Sequence, residues 1–485
     1  MSSDSSRRAG TPSTRRGRAR QRQGRAFVRA FAIVVGALAV LGLVGAAANV
    51  TQGPRITDVQ LDPEAAVAAS GSRLIVTTSQ SLAEVDPSQV SVNPAAPFAV
   101  DTSGRSVGVR FALPLWDDTE YTITIDGLTA FGGGPATRVS ESFTTPAIDV
   151  HLMRRDANGD TIFRTDLSGE NAVAVFTDPH IEDFRATATH LVISTRTDDD
   201  RARVLMTDLD GQNPVELPLP GDGFVTNLQS ADRGELIGYT FSDASLSEDS
   251  GRESMLFTAS LKNPDAAPVP ITVEGADPRI ADWRFVPDTD SILLLSFDGT
   301  LLLGSSEGLG ATEGSDGGDG TNLGTAVGIE GIARGSTVAI VERVDQRTTI
   351  DLTDASEAPL VDADAGLPLV TSVTPLPDGT TLRAGAVLEG DTPTGRTAVD
   401  YVDVDGATTP LFELPSTDAL LQVCASPSAR YAALMIAPDV VNNSYDTYQL
   451  PLPSVVETRI VSIADGAEVV AMTGSAISWC QTPPM

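Results

Sequence analysis

The sequence predicts an all-β protein with an N-terminal transmembrane helix, a small β-sandwich and then a seven-bladed β-propeller. Three observations support this fold class. An uncharged stretch follows an arginine-rich start, short alternating apolar and polar runs fill residues 52–147, and strand-and-turn elements recur through residues 148–485. The predicted domains are a basic disordered cytoplasmic tail at 1–29, a signal-anchor helix at 30–51, the sandwich at 52–147 and the propeller at 148–485.

Charge is divided sharply along the chain. Residues 1–30 carry nine arginines and one aspartate, whereas the remainder carries 24 basic and 64 acidic side chains. A body this acidic repels nucleic acid and anionic lipid, so no nucleic-acid partner is expected. The basic start lies directly before an apolar segment, where arginines act as a topology signal.

The apolar segment is long enough to span a bilayer. Residues 31–50 read FAIVVGALAVLGLVGAAANV, and a helix rising ~1.5 Å per residue over this length covers a hydrocarbon core of roughly 30 Å. Because arginines flank only its N-terminal side, we expect a single-pass protein of the cell membrane with a cytoplasmic N-terminus and an extracellular body. A cleaved signal peptide is the alternative, since Ala46–Ala48 offers small residues to a peptidase.

Short strands with turn signals between them predict the sandwich at 52–147. The runs at 74–76, 107–111 and 121–125 alternate or cluster apolar residues as antiparallel strands do. The opening PRITDVQLDPEAA, the later LWDDTEYTITIDGL and the closing ESFTTP resemble the bacterial Ig-like domain of the S-layer SbsA type. That resemblance implies a spacer or adhesion module rather than an enzyme.

Two recurring elements predict the propeller. A strand that ends in an acidic-glycine turn recurs at 163–169, 204–211, 401–406 and 460–466. A turn followed by an apolar strand recurs from residues 186, 230, 286, 333, 376 and 426. Spacings of about 40–55 residues, with about four short strands in each unit, are typical of propeller blades.

The two ends of the repeat region predict a seventh blade. Six units are complete, and strands near Val150, Ile162 and Val173 remain at the start, with one strand at Ala476–Cys480 remaining at the end. Joining them would close the ring and protect its sheet edges. The turns, above all Leu376-Pro-Asp-Gly, together with the preceding Trp283, resemble degenerate copies of the Ser-Pro-Asp-Gly motif of TolB-like propellers.

Cys424 and Cys480 are the only cysteines of the sequence. An even pair in an exported protein predicts one disulfide. The blade assignment places both cysteines on innermost strands of the last two blades, so we expect the bond to clamp the ring shut.

One short acidic sequence is a candidate metal site. Asp156, Asn158 and Asp160 alternate as the first ligands of a calcium loop do, and their oxygens suit a hard cation. The alternative is a plain hairpin turn, because Asn-Gly at 158–159 is a favoured turn and no later bidentate glutamate is placed. No other cofactor is expected.

The sequence offers little catalytic chemistry. Two G-x-S-x-G strings, at 104–108 and 304–308, lack the strand-to-helix context of a nucleophile elbow: the first predicts a hairpin turn and the second opens a glycine-rich insertion at 307–324. No α/β-hydrolase domain follows the propeller. His151, His180 and His190 are expected to be packing or surface residues.

These features favour a non-enzymatic, membrane-anchored binding or envelope-organising protein of the cell surface. Its expected partners are the membrane, through residues 30–51, and a protein or glycan of the cell envelope. The alternative is an exported enzyme, a lyase or glycosidase, with its site in the central channel of the propeller.

Overall fold

The computed structural model describes residues 31–40, 53–231, 236–247, 250–306, 309, 320–364, 367 and 369–484. Residues 31–40 are helical; the rest of the predicted span at 30–51, and the tail at 1–29, lie outside the described residues. Within the described ranges, no helix combines the length and apolarity needed to cross a membrane.

Residues 56–144 form two antiparallel sheets that share one core. The strands are β1 (Ile56–Gln60), β2 (Arg73–Thr78), β3 (Val90–Asn93), β4 (Phe98–Ser103), β5 (Ser106–Phe111), β6 (Glu120–Leu128) and β7 (Thr137–Thr144). One sheet has the order β1-β2-β5-β4 and the other the order β3-β6-β7. Val76, Phe111 and Ile125, from both sheets, are buried in the core, so the segment is a β-sandwich. Short helices at Pro63–Ala68 and Pro87–Gln89 complete it.

Seven sheets follow the sandwich in the described part of the chain. The first has three strands, β8 (Asp149–Arg154), β9 (Asp160–Asp166) and β10 (Val173–Asp178), and the other six have four each. Those six sheets are β11 (Ile181–Ala186), β12 (His190–Arg196), β13 (Ala202–Asp208), β14 (Val215–Leu217); β15 (Gly223–Ser230), β16 (Leu236–Asp243), β17 (Met255–Ser260), β18 (Val269–Pro270); β19 (Ile280–Phe285), β20 (Ser291–Ser296), β21 (Thr300–Ser305), β22 (Thr321–Thr325); β23 (Gly328–Ile332), β24 (Val338–Glu342), β25 (Arg347–Asp351), β26 (Ser356–Pro359); β27 (Leu369–Pro375), β28 (Thr381–Glu389), β29 (Thr392–Val402), β30 (Thr408–Leu414); and β31 (Ala419–Ala425), β32 (Tyr431–Ala437), β33 (Glu457–Ser462), β34 (Glu468–Thr473).

The sheets are arranged as the blades of a β-propeller. In each four-stranded sheet after the sandwich the strands pair in chain order, and the first strand contacts the first strand of the next sheet, from β11 through β15, β19, β23 and β27 to β31. The first strands are therefore innermost and line a central channel. Each of them contains a shift in register against its neighbour, which bends the strand and re-aims its side chains.

Trp283 shows how neighbouring sheets pack together. It is fully buried on innermost strand β19, and its ring lies against Gly238 of the preceding sheet. A Cβ atom at Gly238 would come within 2.5 Å of Cη2 of the ring. The glycine therefore makes room for the largest buried side chain between two sheets.

The end of the described chain meets its first propeller sheet. Ser475 forms a two-residue bridge with Met153 of β8, and Ser478 N donates to His151 O at 2.9 Å. The strand predicted at Ala476–Cys480 is wrong, because this segment turns at 478–479 after the bridge. The glycine-rich segment also differs from its prediction as an insertion, since residues 321–324 belong to β22.

Candidate binding cavity between the two domains

A cavity of about 430 Å³ lies between the sandwich and the channel mouth of the propeller. The sandwich contributes the helix at Pro63–Ala68 and the loops near Pro114 and Pro146, and the propeller contributes turns that connect first and second strands. This size lies within the range of small-molecule sites. We call the propeller face that bears these turns the proximal face and the opposite face the distal face.

Arg430 attaches the sandwich to the proximal face. Its Nη1 donates to the main-chain oxygen of Asp117 at 2.6 Å, to Oδ1 of Asp117 at 3.1 Å and to Oγ1 of Thr119 at 3.2 Å. The guanidinium also lies over the rings of Trp116 and Tyr431. Charge-assisted hydrogen bonds combined with stacking fix both position and orientation, so the cavity has walls from both domains.

His151 forms part of the propeller wall of the cavity. It is buried, and its Nε2 lies 3.1 Å from the main-chain oxygen of Leu209. Burial lowers the pKa of His151, so the ring is neutral at physiological pH and donates through Nε2. Its role is that of a fixed hydrogen-bonding wall rather than a mobile proton carrier.

The charged groups of the cavity have both signs. Arg164 forms ion pairs with Asp210 and, at 3.7 Å, with Asp149, while Glu64 comes from the sandwich helix and Arg334 from a proximal turn. Serine and threonine residues also line the cavity, and alanine, valine, leucine, isoleucine, proline and tryptophan residues supply the apolar part of the wall. Such a lining suits a neutral ligand that carries both donors and acceptors better than a simple ion.

Trp479 separates this cavity from the central channel. It is buried, stacks on Tyr431 at 6.1 Å between ring centres, and lines both the inter-domain cavity and a smaller one of about 100 Å³ inside the channel. A disulfide joins the neighbouring Cys480 to Cys424 of innermost strand β31. The two cysteines that the sequence predicts to pair therefore hold the wall of the cavity.

The chain beyond Cys480 runs into the channel. Gln422 of β31 donates from Nε2 to the main-chain oxygens of Thr482 at 2.9 Å and Pro483 at 3.2 Å, and Pro484 is buried. Pro483 also lines a third cavity of about 230 Å³ near the distal end of the channel. Residues 481–484 thus occupy part of the channel that the enzyme hypothesis needs, beside the cavities of about 100 and 230 Å³.

Charged residues of the channel pair with one another in a repeated arrangement. On β11, Oδ1 of Asp183 accepts from Phe184 N at 2.9 Å and from Arg185 Nη1 at 2.8 Å. On β19, Asp282 accepts in the same way from Trp283 N and from Arg284 Nη1. Burial raises the pKa of Asp183. The repeated pattern Ile-x-Asp-aromatic-Arg, at 181–185 and 280–284, is the sequence signal that could have located this pairing.

A second polar cluster lies at the distal face, around Tyr448. Its ring is stacked between His180, at 3.7 Å between ring centres, and the guanidinium of Arg155 at 3.9 Å. Its hydroxyl donates to Oδ2 of Asp160 at 2.8 Å, and burial raises the pKa of Tyr448. His180 Nε2 in turn lies 2.9 Å from Oε1 of Glu182. These are residue types that general acid–base catalysis uses.

The geometry of this distal cluster is that of a structural network. Glu182 is buried and accepts from Arg196 and from the main-chain nitrogens of Gln449 and Leu450. None of the four cavities of about 430, 230, 100 and 30 Å³ is lined by Tyr448, His180 or Asp160. The cluster therefore fixes a loop to the propeller, and of its carboxylates Glu182 lines the cavity of about 230 Å³.

The predicted calcium ligands lie on a hairpin turn between β8 and β9. Oδ1 of Asp156 accepts from Asn158 N at 3.0 Å, which is an ordinary Asx turn. Asp160 is buried and accepts from Ile181 N and Tyr448, and burial raises the pKa of Asp160. Within the described residues no group of three or more histidine, cysteine, aspartate or glutamate side chains could hold a metal ion, so calcium remains a prediction.

Comparison with known proteins identifies no family. No known family matches the chain, and no curated protein does. Similar solved structures include the β-propeller domain of Cps50 (Swd1) from Myceliophteria thermophila, at 11% identity and a TM-score of 0.39, over 61% of this chain and 87% of that one. A candidate TolB from Agrobacterium tumefaciens has 13% identity and a TM-score of 0.34, over 68% and 91%.

The dihydro-heme d1 dehydrogenase NirN has 13% identity and a TM-score of 0.41, over 68% of this chain and 74% of that one. These values carry no argument about function, so the fold assignment rests on the order and contacts of the sheets themselves. The sheets and their contacts define a two-domain β protein in which a sandwich is docked on a propeller.

Proposed function

We propose that this chain is a membrane-anchored, non-enzymatic binding protein of the cell envelope. In this proposal an Ig-like sandwich holds a seven-bladed, TolB-like propeller outside the cytoplasm. Its ligand, a glycan fragment of the envelope, binds in the cavity between the two domains. The observation that carries the proposal is the inter-domain cavity. Its walls come from both domains, and its lining contains hydrogen-bond donors, acceptors and apolar groups.

The sequence supports the placement. Nine arginines precede an uncharged segment of membrane-spanning length, and the body that follows is strongly acidic. Exposure to an oxidising environment also fits a structure in which both cysteines form a disulfide. Seven successive sheets, the first bridged to Ser475, support a closed ring of seven blades.

The chemistry of the cavity supports binding over catalysis. His151 donates to a main-chain oxygen instead of facing a hydroxyl nucleophile, and the arginine at 164 is neutralised by two aspartates. A glycan presents many hydroxyl groups, each able to donate and to accept, together with apolar C–H faces. The charged, hydroxylic and apolar groups of this lining complement both features.

Titration of the purified full chain with envelope glycan fragments tests the proposal. Ala188 is exposed to the cavity, so Ala188→Trp should fill it and weaken binding at least about tenfold, equivalent to 1.4 kcal/mol. Ala136→Trp, on an exposed sandwich loop, is the matched control and should leave the affinity unchanged. Calorimetry that finds no saturable binding, or equal affinity for both variants, would refute a ligand in this cavity.

A further inference from the structure

The loop between β32 and β33 is longer than the corresponding connection of the preceding sheet. It spans residues 438–456, whereas the turn between β28 and β29 spans only 390–391. Connections between second and third strands all lie on the distal face, because the strands alternate in direction and the first strands are equivalent around the ring. We call residues 438–456 the distal loop.

Hydrogen bonds within the distal loop make it a rigid element. Asn443 donates from Nδ2 to the main-chain oxygens of Pro438 and Val455 at 3.0 and 2.7 Å, and accepts from Val455 N at 2.9 Å. Oδ1 of Asp446 accepts from the main-chain nitrogens of Tyr448 and Leu452. The loop thus closes on itself as a hairpin before it meets the rest of the propeller.

The polar cluster described above ties this hairpin to the other end of the domain. Arg155, which follows β8, donates to Asp446 at 2.7 Å and to the main-chain oxygen of Leu450 at 2.9 Å. Glu182 accepts from two main-chain nitrogens of the loop. Burying charged groups is costly unless each is paired. Here Arg155 pairs with Asp446, and Glu182 accepts from the main chain of the loop, so these buried charges hold the loop in place.

The outer side of the same loop exposes large apolar side chains among polar ones. Val441 is 87% exposed and Tyr445 60% exposed, with Val440 and Val455 partly exposed beside them. Two other distal turns present Phe297 and Val344. Rigid, exposed apolar side chains on a pre-organised loop are what a protein interface uses, because little conformational entropy is lost on binding.

Charge around the loop indicates what kind of partner fits. Residues 438–456 contain two aspartates and no lysine or arginine. The nearby Arg155 and Arg196 are largely buried in ion pairs with the protein's own carboxylates. Asp418 and Asp439 lie together at the start of the loop, and the turn at 197–201 holds three aspartates, one of them paired with Arg196, together with Arg201. The exposed apolar side chains at the start of the loop therefore have an acidic border, formed by Asp418 and Asp439.

We propose that the distal loop is a docking surface for a second protein, whose contact segment carries apolar side chains flanked by lysine or arginine. The apolar residues would cover Val441 and Tyr445, and the basic residues would meet the acidic border. This interface lies on the opposite face of the propeller from the inter-domain cavity, so the proposal is independent of the function proposed for that cavity.

Photo-crosslinking in cells that produce the full chain tests the proposal. Val441→p-benzoylphenylalanine places the probe on the exposed turn at the start of the distal loop, and Val404→p-benzoylphenylalanine places it on an exposed proximal turn as the matched control. The expected result is an adduct at position 441, absent at 404, with a different protein through a segment rich in lysine or arginine. No specific adduct, or an adduct with a second copy of the chain, a glycan or a lipid, would overturn the proposal.

A synthetic peptide of the crosslinked segment then gives a quantitative test. The combined substitution Val441→Ser and Tyr445→Ser should weaken its binding at least about tenfold, since exposed side chains at the centre of an interface carry most of the affinity. Val404→Ser should change it less than about twofold, and raising the salt concentration should weaken it further. Equal affinity for both variants would contradict the assignment of the loop.

Discussion

Loss of the disulfide between Cys424 and Cys480 should both destabilise the propeller and loosen the wall of the cavity. The two cysteines are 56 residues apart in sequence. In the chain-entropy treatment, a crosslink that closes a loop of this length lowers the entropy of the unfolded chain and so raises the free energy of unfolding by roughly 4 kcal/mol. Unfolding of a domain of roughly 330 residues has an entropy of about 0.7 kcal/mol/K, so the melting temperature should fall by about 6 °C.

The local effect should appear at Trp479, which precedes Cys480. In the oxidised protein this tryptophan is buried against Tyr431, and the segment after it is held in the channel by Gln422. Without the crosslink the segment retains only those hydrogen bonds and its packing. We therefore expect Trp479 to become more accessible to a neutral quencher well below the melting temperature.

Two measurements on Cys424→Ala/Cys480→Ala and on the dithiothreitol-reduced native chain check this prediction. Calorimetry gives the change in melting temperature, and acrylamide quenching of fluorescence reports Trp479. Quenching is measured in a Trp116→Phe background, because Trp283 is fully buried. Reduction removes only the crosslink, so it controls for the lost cysteine side chains. A melting temperature within about 1 °C of the oxidised protein, with unchanged quenching, would refute the idea that the bond pins this segment.

Three further predictions follow from packing, domain attachment and burial. Gly238→Ala should destabilise the protein by about 1–3 kcal/mol in urea unfolding, because its Cβ would meet the Trp283 ring at 2.5 Å, whereas Gly132→Ala, with open space around it, should be neutral within about 0.5 kcal/mol. Arg430→Ala should uncouple the sandwich, seen as faster proteolysis between the domains while far-ultraviolet circular dichroism stays unchanged. Burial raises the pKa of Asp400, so wild-type stability falls as pH rises from the unfolded pKa of 3.8 through the higher folded value. Asp400→Asn should therefore be more stable than wild type at pH 7, with a gain that shrinks towards pH 4; a constant difference across this range would contradict the pKa shift.

Regular features of the sequence predicted the β-rich domain, because they depend on local chemistry. The turn elements near 286, 376 and 426 each separate a first strand from a second strand, and turn residues encode such connections directly. The G-x-S-x-G string at 104–108 likewise lies across the hairpin turn between β4 and β5. These predictions required only the period of the pattern and the conformations that glycine, proline and aspartate favour.

Apart from the disulfide between Cys424 and Cys480, the long-range contacts of the candidate sites could not be predicted from the sequence. Ala476–Cys480 has the composition of a strand, but the segment turns after one bridge and continues into the channel. No feature of the neighbouring sequence indicates that the Gln422 side chain donates hydrogen bonds to two main-chain oxygens there. Similarly, Tyr448 and Asp160 are 288 residues apart, yet their side chains share a hydrogen bond. The inter-domain cavity depends on how the two domains dock, and the repeat pattern of the sequence does not predict that arrangement.

The paired charges of the channel explain why function should be sought outside it. On β11 and β19 the aromatic residue is buried between sheets, and its two neighbours on the strand face the other way. On β19, for example, Trp283 packs against Gly238 of the preceding sheet, whereas Arg284 donates to the main-chain oxygen of Ile329 in the next one. An aspartate there satisfies the main-chain nitrogen freed at the register shift and pairs with the arginine two residues on. One carboxylate oxygen and one guanidinium nitrogen of each pair are thereby used to hold the strand. Ligand binding is therefore best tested first in the inter-domain cavity and on the outer side of the distal loop, where the walls come from more than the innermost strands.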